Sequence, residues 1–265
     1  MIHIDLFEHR FFANFLKFRY LLTELVKRDI KVKYRRSVLG IFWSFMEPLL
    51  YMIVLTIIFS TIFKHDIANY PVYLLTGRLA FTFFSTGSSA SMRSITSNAS
   101  TIKKLYVPKY IFTLGVTFSN LVTFMLSLVV LFLVMIATQA PFTPYMFISI
   151  LPIALILIFT IGAGLFLATV SVFFRDIRHL YGVFTTLLLY GSAIFFPASI
   201  IPQKFQIFLQ LNPLFVYIEM FRDAFLYATW FDTFQLVYGT VVAIAMLVIG
   251  VVVFYRNQDR FILYI

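Results

Sequence analysis

Apolar residues occur in six long runs along the chain, separated by short polar segments. The runs cover residues 40–63, 70–92, 110–138, 145–174, 181–197 and 233–255. About 20 consecutive apolar residues are needed for a helix to cross the hydrocarbon core of a bilayer. The pattern therefore predicts an all-α integral membrane protein with six transmembrane helices and both termini on the same side.

The stretch from 198 to 230 does not fit this simple alternation. It is apolar in places, but it also contains Pro202, Pro213, Glu219, Arg222 and Asp223. Charges and helix-breaking prolines at this density would be costly if they faced lipid. We therefore expect two short re-entrant helices at the outer face, between spans five and six.

The segment before the first span has a different pattern. Apolar residues recur at helical spacing from Phe18 to Ile30, while Lys27, Arg28 and Lys31 lie mostly on other faces. Such a helix lies in the membrane interface, although a plain basic anchor is an equally good interpretation. The chain is then one domain, 1–265, with an interfacial helix in 1–37, a six-span bundle in 38–256 and a tail in 257–265.

Composition and charge support a membrane protein with a defined orientation. Hydrophobic residues make up 61% of the chain and charged residues 12%, which excludes an ordinary soluble domain. Nine of the 21 Lys and Arg precede the first span, and the six-span topology puts 17 of the 21 on the same side as the termini. The positive-inside rule makes that side the cytoplasm. The net charge of +10 then reflects contact with anionic membrane lipid rather than nucleic acid.

Catalytic signatures are absent from the sequence. It contains no G-x-x-x-x-G-K-[ST], H-E-x-x-H or G-x-S-x-G motif and no Cys. We expect no active site, no metal site and no cofactor in this chain. A proton-coupled carrier is also disfavoured, because spans three to six lack ionisable residues near the midplane.

Intramembrane charges are the first candidates for function. Glu47 is shallow enough to pair with interfacial basic residues. Arg78 either extends to the outer surface or meets an anionic group, while Glu219 and Arg222 stand three residues apart and can pair on a helix. Small residues in Ser85–Ser91, and again at Gly162 and Gly164, predict close helix packing.

Three stretches of the sequence resemble the permease subunits of type-2 ABC exporters for polysaccharides, the family that includes O-antigen, capsule and teichoic-acid exporters. The resemblance follows the family order over essentially the whole chain. The stretches are LVKRDIKVKYRRSVLGIFWSFMEPLL (25–50), KKLYVPKYI (103–111), and FFRDIRHL (173–180) together with NPLFVYIEMFRDAFL (212–226). Glu47 and Arg78 depart from the family pattern, which usually has Asn and an apolar residue there.

This resemblance implies a permease of the bacterial cytoplasmic (inner) membrane that works as a homodimer. Two copies of a separate ABC ATPase subunit would bind ATP and Mg, and a lipid-linked glycan would pass between the permeases. Residues 97–106 would form a coupling helix. The coupling candidates are Ser97, Asn98, Ser100, Lys103, Lys104, Arg175, Asp176 and Arg178. The conduit or gate candidates are Tyr51, Phe59, Arg78, Tyr190, Phe195, Phe196, Glu219, Arg222 and Asp223. Alternatives are export of a drug or a lipid, and a proton-coupled carrier.

Overall fold

The computed structural model describes residues 2–35, 37–60, 67, 69–104 and 106–265. Within these ranges the regular structure is entirely helical, which confirms the predicted all-α class. A π-helix, Asp223–Tyr227, continues the ninth helix. The helices in chain order are α1 Ile2–Tyr34, α2 Trp43–Ser60, α3 Tyr70–Ser97, α4 Ala99–Lys104, α5 Tyr110–Ala137, α6 Ile150–Phe173, α7 Ile177–Tyr190, α8 Gln203–Gln210, α9 Pro213–Arg222, α10 Thr233–Asn257 and α11 Phe261–Tyr264.

Four segments of the described chain are long and apolar enough to cross a membrane. They are Gly40–Phe59, Tyr110–Ala137, Pro144–Phe173 and Thr233–Tyr264, which correspond to predicted spans one, three, four and six. Residues 61–63 of the first predicted span lie outside the described ranges. The count of six depends on α3, which is 28 residues long but carries many polar residues, and on α7, which has only 14 residues. That count stays a prediction.

The polar helix α3 lies at the centre of the bundle, in contact with α2, α5, α6 and α9. Its hydroxyl groups bond to neighbouring helices. Ser91 lies 2.9 Å from the Thr117 hydroxyl, and the Tyr181 hydroxyl donates to Ser88 at 2.6 Å. Hydroxyl pairs of this kind satisfy polar groups that lipid could not. Part of the polarity of α3 therefore reflects contacts with neighbouring helices.

Glycines bring α6 and α10 into backbone contact. A Cβ at Gly162 would come within 2.5 Å of the Met246 carbonyl oxygen, and a Cβ at Gly250 would overlap the Gly162 carbonyl. On its other side, α6 approaches α3 so closely that a Cβ at Gly164 would lie 2.8 Å from that of Ser91. The predicted close-packing role of Gly162 and Gly164 is confirmed.

The helix of the fifth predicted span ends before the predicted span does. The sequence predicts a continuous span to residue 197, but α7 ends at Tyr190 and the chain from Gly191 to Pro197 leaves helical geometry. Gly191 is a poor helix former, and Pro197 cannot donate a helical hydrogen bond. Ala193 adopts a positive φ of 47°. Two short helices, α8 and α9, then follow within 198–230 as predicted, while their re-entrant position stays a prediction.

The predicted amphipathic helix α1 packs its apolar face on α5. Leu25 is buried against Gly115, where an added Cβ would lie 3.1 Å from the Leu25 Cβ. At the C-terminal end of α1, the hydroxyl groups of Tyr34 and Ser44 are hydrogen-bonded. The helix is therefore tied to both α5 and α2.

We predict that Gly250→Ala destabilises the fold by roughly 1–3 kcal/mol, because the added methyl group forces α10 away from α6. The measurement is the free energy of unfolding in mixed micelles. Gly182→Ala is the matched control, because a Cβ at this α7 position meets nothing within 4 Å. Equal stability of Gly250→Ala and wild type would mean that the two backbones are not in contact.

Candidate functional site

The residues predicted to contact a partner subunit gather at one end of α3. Asn98 separates α3 from α4 and accepts a hydrogen bond from Arg28 of α1 at 3.3 Å. Arg178, at the start of α7, donates to the Thr96 hydroxyl at 2.9 Å. Arg178 therefore brings the second predicted coupling segment, 175–178, against the end of α3, directly before the first, 97–106. Residue 105 of the predicted coupling helix lies outside the described ranges. The coupling candidates with exposed side chains are Ser97, Ser100, Lys103, Lys104, Arg175 and Asp176.

The opposite face of α4 is anchored in the protein. Ile102 is buried in an apolar cluster with residues of α1, α3, α5, α6, α10 and α11. Two lysines reach the chain's last segment: the Lys103 ammonium group donates to the Ile265 carbonyl, and Lys109 donates to the Gln258 carbonyl at 2.8 Å. The sequence analysis missed this tail contact, although the apolar run after Arg260 was a signal for it. α4 therefore combines an exposed polar face with a fixed position.

A fully buried arginine organises the non-helical segment 191–197. Arg222 is inaccessible to solvent and pairs with Glu219 at 2.5 Å, the predicted i,i+3 pair. Its second nitrogen donates to the Ala193 carbonyl at 3.0 Å. The guanidinium group also lies over the ring of Tyr73, 3.5 Å from its centroid. Asp223 opens the π-helix immediately after it.

Tyrosine and asparagine side chains complete this anchor. Tyr73 donates to the Phe196 carbonyl at 2.8 Å, Tyr70 donates to the Phe195 carbonyl at 2.9 Å, and Asn212 donates to the Gly191 carbonyl at 2.9 Å. Backbone carbonyls that lack helical partners need such donors when water is excluded. Segment 191–197 is therefore held by side chains of α3 and α9. Arg222 and Glu219 are still candidates for gating, now with a defined structural role.

The predicted conduit aromatics divide into two groups. Phe59 stacks on Phe195 with ring centroids 5.8 Å apart, and Tyr190 lies 6.0 Å from Phe195. These rings join the end of α2 to the 191–197 segment, which also carries the half-buried Phe196. Tyr51 lies elsewhere, beneath Arg78.

Arg78 borders a polar cavity of about 90 Å³ between the end of α1 and helices α2, α3 and α5. Its guanidinium carbon lies 4.8 Å from the centroid of the Tyr51 ring. We call this cavity the α2 groove. Its polar lining comprises Lys33, Tyr34, Ser44, Glu47, Tyr51, Arg78, Thr82, Thr86, Asn120, Thr123 and Ser127. The sequence analysis missed Asn120, Thr123 and Ser127, although their helical spacing within an apolar span was a signal.

No cluster of three or more His, Asp or Glu residues suited to a metal ion occurs in the described ranges. The fold and these sites define an all-helical membrane protein with an exposed polar surface on α4, whose position is fixed by its buried face, and a groove with polar side chains between α2, α3 and α5.

Comparison with known proteins identifies the family. The sequence profile of the ABC-2 type transporter family matches residues 20–226. The chain therefore belongs to the ABC-2 type transporters.

The relatives are export permeases. The chain is 29% identical to an O-antigen export system permease protein RfbA of Klebsiella pneumoniae, over 91% of this chain and 93% of that protein. It is 26% identical to a polysialic acid transport protein KpsM of Escherichia coli, over 89% and 92%. It is 23% identical to a capsule polysaccharide export inner-membrane protein CtrC of Neisseria meningitidis, over 83% and 84%.

We predict that Arg222→Gln destabilises the protein by roughly 3–5 kcal/mol, because it leaves the buried carbonyls and Glu219 without their cationic donor. The free energy of unfolding in mixed micelles measures the effect. Glu219→Gln keeps an acceptor for Arg222, so its destabilisation should be smaller.

Arg93→Gln is the matched control for Arg222, because it removes an arginine whose side chain is exposed on α3. We expect this variant to unfold like the wild type. If Arg222→Gln is no less stable than Arg93→Gln, the buried arginine does not hold the 191–197 segment.

Proposed function

We propose that this chain is the membrane permease of an ATP-driven exporter for a cell-surface polysaccharide of the O-antigen or capsule class. The observation that carries the proposal is the match to O-antigen and capsule export permeases over most of the chain. Family membership, the helical bundle and the exposed polar face of α4 support it. The permease itself supplies a route and performs no chemistry.

The proposed topology has six crossings with both termini in the cytoplasm. α3 forms the second crossing, because its polar groups bond to protein neighbours rather than to lipid. α7 and the segment 191–197 together form the fifth crossing, because side-chain donors satisfy the non-helical carbonyls. α8 and α9 then lie as re-entrant helices at the outer face. This arrangement puts α4 in the cytoplasm.

The assembly that we propose contains two copies of the permease and two ATPase subunits. ATP and Mg belong to the ATPase subunits, and the cargo is a glycan carried on a lipid. α2 and α7 leave apolar side chains exposed on the described surface, which lipid and the second permease copy would cover. The membrane is the bacterial cytoplasmic (inner) membrane.

ATP binding can drive export only if it favours one arrangement of the permease over another. The exposed surface formed by Ser97 at the end of α3 and by Ser100 and Lys104 of α4 would receive the ATPase, together with Arg175 and Asp176. Because Ile102 is buried and Lys103 is bonded to the tail, a displacement of α4 would reach α5, α6 and α10 through the apolar cluster that Ile102 shares with them. Arg178 and Asn98 link this displacement to α3 and α7.

We predict that Lys104→Glu reduces the stimulation of ATP hydrolysis by lipid-linked glycan about tenfold or more, a free-energy change of about 1.4 kcal/mol. Lys104 is exposed on α4, so the change reverses a charge at the proposed contact without opening the core. The measurement is ATPase activity of the reconstituted complex, with and without added glycan lipid.

Lys204→Glu is the matched control, because Lys204 is exposed on α8, which the proposal puts at the outer face. Its stimulation should equal that of the wild type. Failure of the chain to form a complex with an ABC ATPase would overturn the proposed function. If a drug or a lipid without glycan stimulates ATP hydrolysis and the glycan lipid does not, the cargo is a drug or a lipid instead of a glycan.

A further inference from the structure

Arg78 and Arg222 have opposite surroundings. Arg222 is fully buried and is bonded to a carboxylate and to backbone carbonyls. Arg78 belongs to none of the three ion pairs found among the described residues. Its guanidinium group instead lies over the ring of Tyr51. Arg222 is therefore part of the framework, whereas the N–H groups of Arg78 are available to a ligand.

An arginine at this position needs a partner. It lies eight residues into α3, or roughly 12 Å along the helix axis at about 1.5 Å per residue. A guanidinium group has five N–H donors, and an aromatic ring face satisfies its charge but not these donors. A charged group within the membrane is costly unless it is paired or wet. The ligand that would satisfy Arg78 is therefore water or an anion.

The α2 groove has room for such a ligand. Its volume of about 90 Å³ exceeds the roughly 10–15 Å³ that a single water molecule requires. Thr82 lies one turn from Arg78 on α3, and Lys33 adds a second positive charge at the α1 side. Several of the other hydroxyl groups are already committed, since Thr86 and Ser127 donate to carbonyls of their own helices. Arg78 is therefore the main free donor in the groove.

One acidic side chain faces the same space. Glu47 lines the groove, but it forms no ion pair with Arg78 or Lys33 among the described contacts. Its charge opposes an anion, so two cations and one carboxylate leave the groove with a net positive charge. These charges predict opposite effects of two substitutions on anion affinity. Loss of Arg78 should weaken anion binding, and loss of the Glu47 charge should strengthen it.

We propose that the α2 groove binds the phosphate group of a lipid headgroup, with the Arg78 guanidinium as the principal donor and Thr82 beside it. A planar guanidinium group binds phosphate oxygens in pairs, and the groove has room for one phosphate group. The phosphate could belong to a bulk membrane lipid or to the lipid carrier of a cargo. The site lies within one subunit and requires neither ATP nor a second copy.

The test uses the absence of Cys from the chain. In the full-length Thr82→Cys variant in detergent micelles, we would measure the labelling rate with an anionic and a cationic methanethiosulfonate reagent. The ratio of the anionic to the cationic labelling rate should be several-fold higher at this cysteine than for free cysteine, because the positive charge of Arg78 attracts the anionic reagent. Bound phosphate ligand should slow labelling. Inorganic phosphate, phosphatidylglycerol and a polyprenyl phosphate are the three probes, with the uncharged polyprenol as the control.

In the Thr82→Cys background, Arg78→Gln should lower the affinity of the phosphate probe, measured by its protection of the cysteine, about tenfold. This corresponds to about 1.4 kcal/mol of binding free energy. Glu47→Gln should raise that affinity. Arg93→Gln removes an exposed arginine from the same helix and should change nothing. Stronger protection by polyprenyl phosphate than by phosphatidylglycerol would assign the site to a cargo carrier, and equal protection would assign it to membrane lipid.

The proposal is overturned if no phosphate probe protects the cysteine, or if Arg93→Gln weakens protection as much as Arg78→Gln. The charge preference and the protection in the Arg78-containing protein remain informative if Arg78→Gln does not fold. The assay needs no ATPase subunit. Its failure would therefore leave the proposed export function intact, and failure of the ATPase assay would leave this site intact.

Discussion

The bond between Arg222 and the carbonyls of segment 191–197 is the interaction on which the rest of the bundle depends. A backbone that leaves helical geometry where water is excluded must find other donors. Here the guanidinium group and Tyr73 supply them together. The ring of Tyr73 also lies against the guanidinium group, so α3, α9 and the end of α7 meet at one charge. The charge therefore fixes segment 191–197 against α3 and α9, while α9 itself is also held by the apolar residues that it buries in the core.

The two ends of the bundle are built on different physical principles. Around Arg222, polar side chains compensate an irregular backbone. At the α4 end, an apolar cluster that includes Ile102 and Phe261 joins seven helices, and lysines fix the last segment of the chain. An apolar cluster transmits displacement because it is densely packed. A partner that moves α4 would therefore move several helices together, which is what a transporter with a separate ATPase requires.

The sequence predicted much of the fold because its hydrophobic periodicity is a local property. Four of the six predicted spans are long apolar helices at the expected positions, and the Glu219–Arg222 pair follows from helical spacing alone. The prediction that the fifth span is one continuous helix was wrong. The compensating donors come from residues about 120 positions away in the case of Tyr73, and no sequence window contains both partners.

What the sequence determined by itself was the class of protein, the helices, the charge distribution and the family motifs, since composition and spacing fix these. Only the tertiary structure decided that Arg222 is buried and bonded while Arg78 faces an open groove. Arg222 has Glu219 and Asp223 near it in the sequence and Arg78 has apolar neighbours, but neither pattern indicates which of the two arginines is buried. Their different roles depend on which carbonyls, rings and carboxylates other helices bring to them, and that is a consequence of packing.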